Sequence, residues 1–226
     1  MFFLGFTVLH PEVWFRDILL DGSLSDLALH FLGLGARLKP VLTQIIDLTP
    51  SEDELRLGVR SSFRSLINWG IRELSLRVVD LKSADRAVFD EFRALHKLAA
   101  GRDTRSAESW DCQYDSIAAG EMFLVAGYLD GRMVTGGLFK LGRKYCYYGI
   151  GASDRELFDK PLSHAVIWKA MLYAKSIGIR HFEMGEQVFP SFPEGHVSDK
   201  EVSIAMFKRG FGGSTKSVVD LHYKKD

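Results

Sequence analysis

The chain has 226 residues, of which 29 are basic and 29 acidic, so its net charge at pH 7 is zero. This balance gives no support for sequence-independent binding of DNA or RNA, which usually requires a basic surface. The two cysteines, Cys112 and Cys146, are too few for a disulfide framework, and no Cys or His residues stand at zinc-site spacing. We therefore expect a globular cytoplasmic protein without a bound metal.

The first 48 residues give the weakest patterns in the chain. The opening MFFLGFTVLH is apolar, but it lacks a basic leader and is too short to span a bilayer. We predict a strand there and no membrane span. Residues 11–20 are predicted as a short amphipathic helix and residues 42–48 as a strand.

A helix start is predicted at Thr49-Pro50-Ser51-Glu52. Thr49 would be the N-cap, Pro50 the first helical residue and Glu52 the partner that closes a capping box. The helix would run to Gly70 with one apolar stripe facing the core, formed by Leu55, Val59, Phe63, Leu66 and Ile67.

A polar face of this helix carries Arg60, Arg64 and Asn68, spaced four residues apart. One interpretation is a solvated helix face. The other is a substrate-binding face, because a guanidinium group is well shaped to hold a phosphate or a carboxylate.

The next elements are predicted as a strand over 74–79, helices over 84–99 and 107–119, and strands over 122–129 and 132–141. Asp130-Gly131 joins the last two strands and is typical of a type I′ hairpin turn. A further strand begins at Tyr145. His96, on the first of the two helices, is interpreted as a packed or surface residue.

The stretch from Tyr145 to Gly185 has the pattern of strand, helix and strand. Pro161 would be the first helical residue, and Gly178 would end the helix. The helix N-terminus would then offer free N–H groups to an anion such as a pyrophosphate, which Gly149 and Gly151 would let approach closely. We expect the ligand crevice where the strands diverge, near Ile150 and Met184.

A short helix over 200–208 and a strand over 214–223 complete the chain. The order from residue 74 is β-α-α-β-β-β-α-β-α-β, which predicts an α/β (α+β) fold. Its mixed, largely antiparallel sheet would carry helices on both faces. We predict an N-terminal extension over residues 1–71 and a core domain over 72–226.

This order of elements resembles the GNAT acyltransferase fold. The motifs YYGIGASDREL, HFEMGE and FKRGFGG are similar to those of its Fem-like branch. That branch includes the peptidoglycan-bridge aminoacyltransferases and related sugar N-acyltransferases. The helix RSSFRSLINWG also resembles the arginine-rich helix that precedes the core in that branch.

The resemblance implies that an amine attacks an acyl group directly, without a protein nucleophile. Cys146 and Ser163 are therefore not required as nucleophiles, although a covalent route through either is the alternative. What such a site needs is orientation of the reactants, a base for the amine and a donor for the developing oxyanion. The catalytic candidates that follow are Glu183, Glu186, His164 and Lys208.

These four candidates have different roles. The lysine of the Phe207-Lys208 pair resembles a cation that binds phosphate or stabilises the transition state. Glu183 stands where the Fem-like motif carries an aspartate, and Glu186 is the candidate best placed to contact the amine. His164 would serve as a base or as a phosphate contact.

The resemblance also implies acyl-CoA as a co-substrate, with no tightly bound cofactor. The residues expected to bind it are Tyr148, Gly149, Gly151, Ser163, Phe207 and Arg209. The non-functional alternatives are that Lys208 is a lysine favoured at a helix C-terminus by the helix dipole, and that the glycines near it are structural.

We predict an N-acyltransferase that transfers an acyl group from acyl-CoA to a small polar amine. A nucleotide-linked amino sugar of cell-envelope polysaccharide synthesis is the first choice of acceptor. A Fem-type enzyme using aminoacyl-tRNA is the alternative; the neutral charge and the absence of a coiled-coil arm disfavour it. A non-catalytic GNAT-like binding module is the alternative of another class. A homodimer is left open.

Overall fold

The computed structural model describes residues 12–18, 23–190 and 197–225, and this part of the chain contains eight strands and seven α-helices. The strands are β1 Glu12–Ile18, β2 Arg37–Asp47, β3 Ser75–Val79, β4 Met122–Leu129, β5 Arg132–Leu141, β6 Tyr145–Ser153, β7 His181–Glu186 and β8 Ser214–Lys224. The helices are α1 Asp26–Gly33, α2 Glu52–Gly58, α3 Ser61–Glu73, α4 Arg86–Ala100, α5 Ala107–Ala118, α6 Leu162–Ser176 and α7 Asp199–Arg209. The order predicted from residue 74 onward is confirmed.

The chain forms two compact units that are not continuous in sequence. The first holds the described residues up to Gln44, those of 186–207 and those from Ser214 onward; the second holds 45–185 and 208–213. The predicted domain boundary after residue 71 falls inside the second unit, and an independent domain over 72–226 stays a prediction. The predicted strand over residues 1–10 lies outside the described residues.

In the first unit the strands follow the order β1-β8-β2. The helix predicted over 11–20 is wrong, because Glu12–Ile18 is a strand paired antiparallel with β8. Val13 is buried while Trp14 is 68% exposed, which is the alternation of a strand with one covered face. Arg16 and Asp220 join the two strands by a bidentate ion pair, with Nε–Oδ1 at 2.6 Å and Nη2–Oδ2 at 2.9 Å.

In the second unit the strands follow the order β2-β7-β6-β5-β4-β3, with residues 45–47 of β2 at one end. Strands β3 to β6 pair antiparallel, and β6 and β7 pair parallel. Leu124 of β4 packs in one cluster with Phe92 and Trp110 of helices α4 and α5. Its neighbour Phe123 points the other way, 4.7 Å from the ring of Tyr173 in α6. Helices therefore cover both faces of a mixed, largely antiparallel sheet, which confirms the predicted fold class.

The hairpin between β4 and β5 has the predicted turn. Asp130 has φ 50° and Gly131 has φ 79°, so both central residues adopt the left-handed conformation of a type I′ turn.

The helix predicted from Thr49 to Gly70 is two helices. The N-cap is Ser51, whose capping box is closed by Glu54, so the predicted Thr49–Glu52 box is wrong by two residues. The chain leaves the helix at Val59 (φ −72°, ψ 138°) and begins α3 at Ser61. The apolar pattern persists across this break: Leu55, Val59, Phe63 and Ile67 are buried, and Leu66 is partly buried.

Within the described ranges, no helix combines the length and the apolar character needed to cross a bilayer.

Candidate active site

The parallel strands β6 and β7 diverge inside the second unit. Their register pairs are Tyr145 with His181, Cys146 with Phe182 and Tyr147 with Glu183. Beyond Tyr147, β6 continues along β5 as far as Ser153, and a β-bulge at Gly149 shifts its register. Ile150 and Met184, near which the crevice is expected, lie just beyond the last parallel pair.

Glu183 is a buried carboxylate at this divergence. Its residue is 1% exposed, and the hydroxyl of Tyr145 donates a hydrogen bond to its Oε2. Tyr145 and Glu183 lie on neighbouring strands two positions apart in register, so their side chains share one face of the sheet. A buried carboxylate requires such a donor, because burial without hydrogen bonds is costly.

The ammonium group of Lys208 reaches the same region from the last turn of α7. A β-carbon placed on Gly185 would lie 3.0 Å from Lys208 Nζ and 3.8 Å from Tyr147 Cε2. Gly185 has φ 98°, so it both turns the chain and leaves room for the cation. Lys208, Tyr147 and the strand of Glu183 therefore meet where β6 and β7 part.

A cleft of about 500 Å³ opens on the face of the sheet that carries α5. Strand β6 contributes Tyr147, Gly149 and Ile150 to its lining, and α5 contributes several polar side chains. Tyr147 therefore belongs both to the cleft and to the surroundings of Gly185 and Lys208. Gly149, predicted to bind the co-substrate, lines this cleft; its role stays a prediction.

Tyr148 and Cys146 lie on the opposite face of β6 from Tyr147. The ring of Tyr148 stacks on Phe139 at 5.2 Å, and burial raises the pKa of Tyr148 to about 12. A β-carbon on Gly151 would collide with the Tyr148 hydroxyl. Burial also raises the pKa of the Cys146 thiol, which keeps it protonated and argues against a nucleophilic role.

Helix α6 begins at Leu162, and Pro161 is its N-cap residue rather than its first helical residue. His164 is 9% exposed; its ring lies edge-on to Phe63 at 4.6 Å, and Nδ1 is 3.3 Å from the Pro161 carbonyl oxygen. Burial lowers the pKa of His164, which favours the neutral imidazole. Ser163 beside it is half-buried. Catalytic or binding roles for these two residues stay predictions.

The predicted substrate-binding face of α3 is already engaged with the protein. Arg64 donates to the carbonyl oxygens of Leu57 at 2.6 Å and Val59 at 3.0 Å, which closes the end of α2. Asn68 accepts a hydrogen bond from Arg56. Arg60 is exposed, with its guanidinium 5.1 Å from the Phe63 ring. A simple solvated face is thus an incomplete description, and substrate binding by these residues stays a prediction.

The remaining candidates lie at the ends of β7 and α7. Glu186 is exposed in the first unit, where Phe207 is half-buried, and Arg209 is half-buried in the second unit. Close packing explains why glycines follow Arg209. A β-carbon on Gly210 would collide with the Phe63 ring, and one on Gly213 with the Ile45 carbonyl oxygen.

Sequence reasoning missed Tyr145, Tyr147 and the polar lining of the cleft from α5 and β5. The alternation of β6 was a usable signal for the two tyrosines, because residues two apart on a strand share a face. The cleft residues on α5 follow no motif, and only the packed structure brings them to β6.

No family model matches the sequence, and no curated protein matches it. The fold is similar to that of FemX, with a TM-score of 0.69 and 16% identity over 94% of this chain and 72% of that one. It is also similar to the C-terminal domain of a putative lysylphosphatidylglycerol synthetase from Agrobacterium fabrum, with a TM-score of 0.64 and 15% identity over 93% and 67% of the two chains. The structure of L-PGS from Bacillus licheniformis is similar as well, with a TM-score of 0.56 and 13% identity over 87% of this chain and 64% of that one. The predicted GNAT-type, Fem-like fold is confirmed.

Proposed function

We propose that this chain is an acyltransferase that joins an acyl or aminoacyl group to an amine. The observation that carries the proposal is the approach of Lys208 Nζ to Gly185, next to the ring of Tyr147. Gly185 follows Glu183 by two residues, and Glu183 is the parallel-strand partner of Tyr147. A cation at the diverging end of two parallel strands is suited to stabilise a carbonyl oxygen that becomes negative. The fold shared with FemX supports the same class of chemistry.

The reaction would proceed by direct attack. The amine nitrogen forms a bond to the acyl carbonyl carbon, and the bond from that carbon to the donor sulfur or oxygen breaks. Tyr145 accepts the proton lost by the amine while its own proton passes to Glu183, to which it is hydrogen-bonded. Lys208 stabilises the oxyanion in between. The departing thiolate or alkoxide takes a proton from solvent, and Glu183 then returns its proton to solvent through Tyr145, which restores both residues.

For the donor we propose acyl-CoA, and for the acceptor an amino sugar, first of all a nucleotide-linked one of cell-envelope polysaccharide synthesis. The net charge of zero supports this choice, because a tRNA donor is usually held by a basic surface. A cleft of about 500 Å³ also has the size of a small polar acceptor.

Aminoacyl-tRNA is the second candidate donor. It is favoured by the similarity to FemX and to a domain of a protein named for lysylphosphatidylglycerol synthesis, which extends over 94% and 93% of this chain. Identities of 16% and 15% leave the donor to experiment.

Replacement of Lys208 tests the proposal. We expect Lys208→Ala to lower kcat by roughly 10²- to 10³-fold, the usual cost of removing one oxyanion donor. Lys208→Arg should retain part of the activity, because it keeps the charge. Acyl transfer would be measured with acetyl-CoA and with aminoacyl-tRNA as donors and a nucleotide-linked amino sugar as acceptor.

The matched control is Lys200→Ala, which removes an exposed lysine from the first turn of the same helix. It should leave kcat unchanged. A Lys208→Ala protein with the melting temperature and the turnover of the wild type would refute the assigned role of Lys208.

A further inference from the structure

We infer that the acceptor carries an anionic group, a carboxylate or a phosphate, which Arg105 and Lys140 bind in the cleft beside β6. The identification of the ligand as the acceptor rests on the proposed function. The charge of the cleft and its two cations are features of the structure itself.

The lining of the cleft is positively charged. Arg105 and Lys140 are its two charged residues, and no carboxylate lines it. Within the described parts of the chain, neither side chain forms an ion pair; the nearest polar contact of Arg105 is Nη1 to Thr104 Oγ1 at 3.3 Å. Two cations that are left without a carboxylate at one concave surface favour an anionic ligand.

Arg105 is held in place by its neighbours. It precedes α5, is half-buried, and its guanidinium lies 5.7 Å from the centre of the Trp110 ring. Such stacking restrains a guanidinium and leaves its N–H fork free for a carboxylate or a phosphate. Burial, and secondarily the charge of Arg105, lowers the pKa of His96.

Lys140 approaches the cleft from the sheet. In the β-ladder it pairs with Met122 on one side and with Tyr147 on the other. Its side chain is exposed, so the unliganded protein pays no penalty for burying this ammonium group. Because Tyr147 also lies beside Gly185, an anion held by Lys140 would leave the rest of the acceptor directed toward Lys208.

Neutral polar groups on α5 complete the site. Ser109, Gln113 and Ser116 are spaced so that they share one helix face, and all three line the cleft. Gln113 Nε2 donates to the Ser109 carbonyl oxygen at 3.2 Å, and the buried Gln113 Oε1 accepts no hydrogen bond from the described residues. An oxygen of this kind suits the hydroxyl or amine hydrogens of a sugar.

Of the two arginines predicted from sequence to hold an acidic substrate group, Arg64 is the less suited to that task. It donates two hydrogen bonds to backbone carbonyl oxygens at the end of α2, whereas the described hydrogen bond of the Arg105 guanidinium goes to the Thr104 hydroxyl. Arg60 stays a predicted contact, and the cleft is our first choice for the anion of the acceptor.

Calorimetric binding of three related amines to the full chain tests this inference. Glucosamine lacks an anionic group, glucosamine 6-phosphate carries a phosphate, and muramic acid carries a carboxylate. We expect at least one of the two anionic amines to bind about tenfold or more tightly than glucosamine, and added salt to weaken it. The tighter of the two identifies the anionic group.

Arg105→Ala and Lys140→Gln should each weaken that binding by about tenfold, the scale of one charge-assisted contact. Both side chains are partly or fully exposed, so we expect melting temperatures close to that of the wild type. Arg102→Ala is the matched control: it removes an exposed arginine of the same connection that does not line the cleft. Equal binding of the three amines, or variants that bind like the wild type, would overturn the inference.

Failure of this inference is distinct from failure of the proposed function, because the binding is measured without a donor. If the anionic amine binds as expected but no donor acylates it, the anion site stands and the proposed function fails. If acylation proceeds with the same KM in the wild type and in both variants, the proposed function stands and the anion site is refuted.

Discussion

At the scale of single residues, the glycines before β8 carry the sharpest test of packing. Gly213 has φ 76° and its position faces the Ile45 carbonyl oxygen, whereas Gly131 has φ 79° and open space around it. We expect Gly131→Ala to cost about 1 kcal/mol, the strain of a left-handed non-glycine residue. Gly213→Ala should cost roughly 1–3 kcal/mol more, because the β-carbon also collides with backbone.

Urea unfolding of the two alanine variants measures this difference. Since both substitutions impose the same positive φ, the gap between their free energies of unfolding isolates the collision at Gly213. Two variants of equal stability would contradict the close approach of the Gly213 and Ile45 backbones.

The candidate site could be predicted only in part from single residues. Glu183 and Lys208 were predicted from their motifs, and the structure places Lys208 beside Gly185, two residues after Glu183. Their catalytic roles stay predictions. Tyr148 was chosen where Tyr147 lines the cleft, because alternation predicts that the two rings point apart but not which face receives the ligand. The bulge at Gly149 also interrupts the alternation, which no residue pattern announces.

At the scale of elements, Asp154 ties the end of β6 to β5. Its N–H donates to the Val134 carbonyl oxygen at 2.8 Å, and its carboxylate accepts from the Glu156 N–H and pairs with Arg132 at 2.7 Å. The Glu156 hydrogen bond first, and then Arg132, hold the pKa of Asp154 below its usual value. A lowered carboxyl pKa means stability that is present at neutral pH and lost as the pH falls through the folded-state pKa.

We therefore expect Asp154→Asn to reduce the free energy of unfolding by about 1–2 kcal/mol at neutral pH, the scale of a charged hydrogen bond. The difference from the wild type should vanish in acid, where the wild-type carboxylate is protonated as well. Denaturant unfolding of both proteins, repeated from neutral to acidic pH, measures this difference in the free energy of unfolding. Asp159→Asn, at a side chain that is 71% exposed, is the control and should follow the wild type at every pH. A pH-independent difference for Asp154→Asn would refute the electrostatic origin.

The elements that sequence reasoning predicted well are those with strong local signals. Asp130-Gly131 predicted the hairpin because a type I′ turn needs two positive φ angles. The apolar stripe of α4 predicted that helix. Residues 12–18 form a strand because β8 pairs with them, and nothing local to that segment shows this partner. The break at Val59 arises similarly, since Arg64 satisfies the carbonyl oxygens that a continuous helix would have used.

At the scale of the whole molecule, the order of elements was enough to predict the fold but not the substrates. The three similar structures are at most 16% identical to this chain, and what they share with it is the arrangement of sheet and helices. Under the proposed function, the choice of donor and acceptor depends on a few side chains around one crevice. We propose Arg105 and Lys140 among them, and their positions result from long-range packing.

The donor can be identified through the stability of the whole protein. A ligand that binds only the folded state adds about 2.7 kcal/mol to the free energy of unfolding at one hundred times its Kd. For a chain of 226 residues this corresponds to a rise in melting temperature of roughly 5–10 °C. We expect such a rise with acetyl-CoA or 3-hydroxybutyryl-CoA, and a smaller one with adenosine 3′,5′-bisphosphate, which has the nucleotide but not the thiol arm.

The same measurement separates the two donors. If no CoA species shifts the melting temperature while aminoacyl-tRNA binds, acyl-CoA is excluded and the tRNA-dependent alternative is supported. Binding of tRNA would then weaken steeply with salt, because each neutralised phosphate releases counterions. A protein with 29 basic and 29 acidic residues can meet that requirement only through a local concentration of cations.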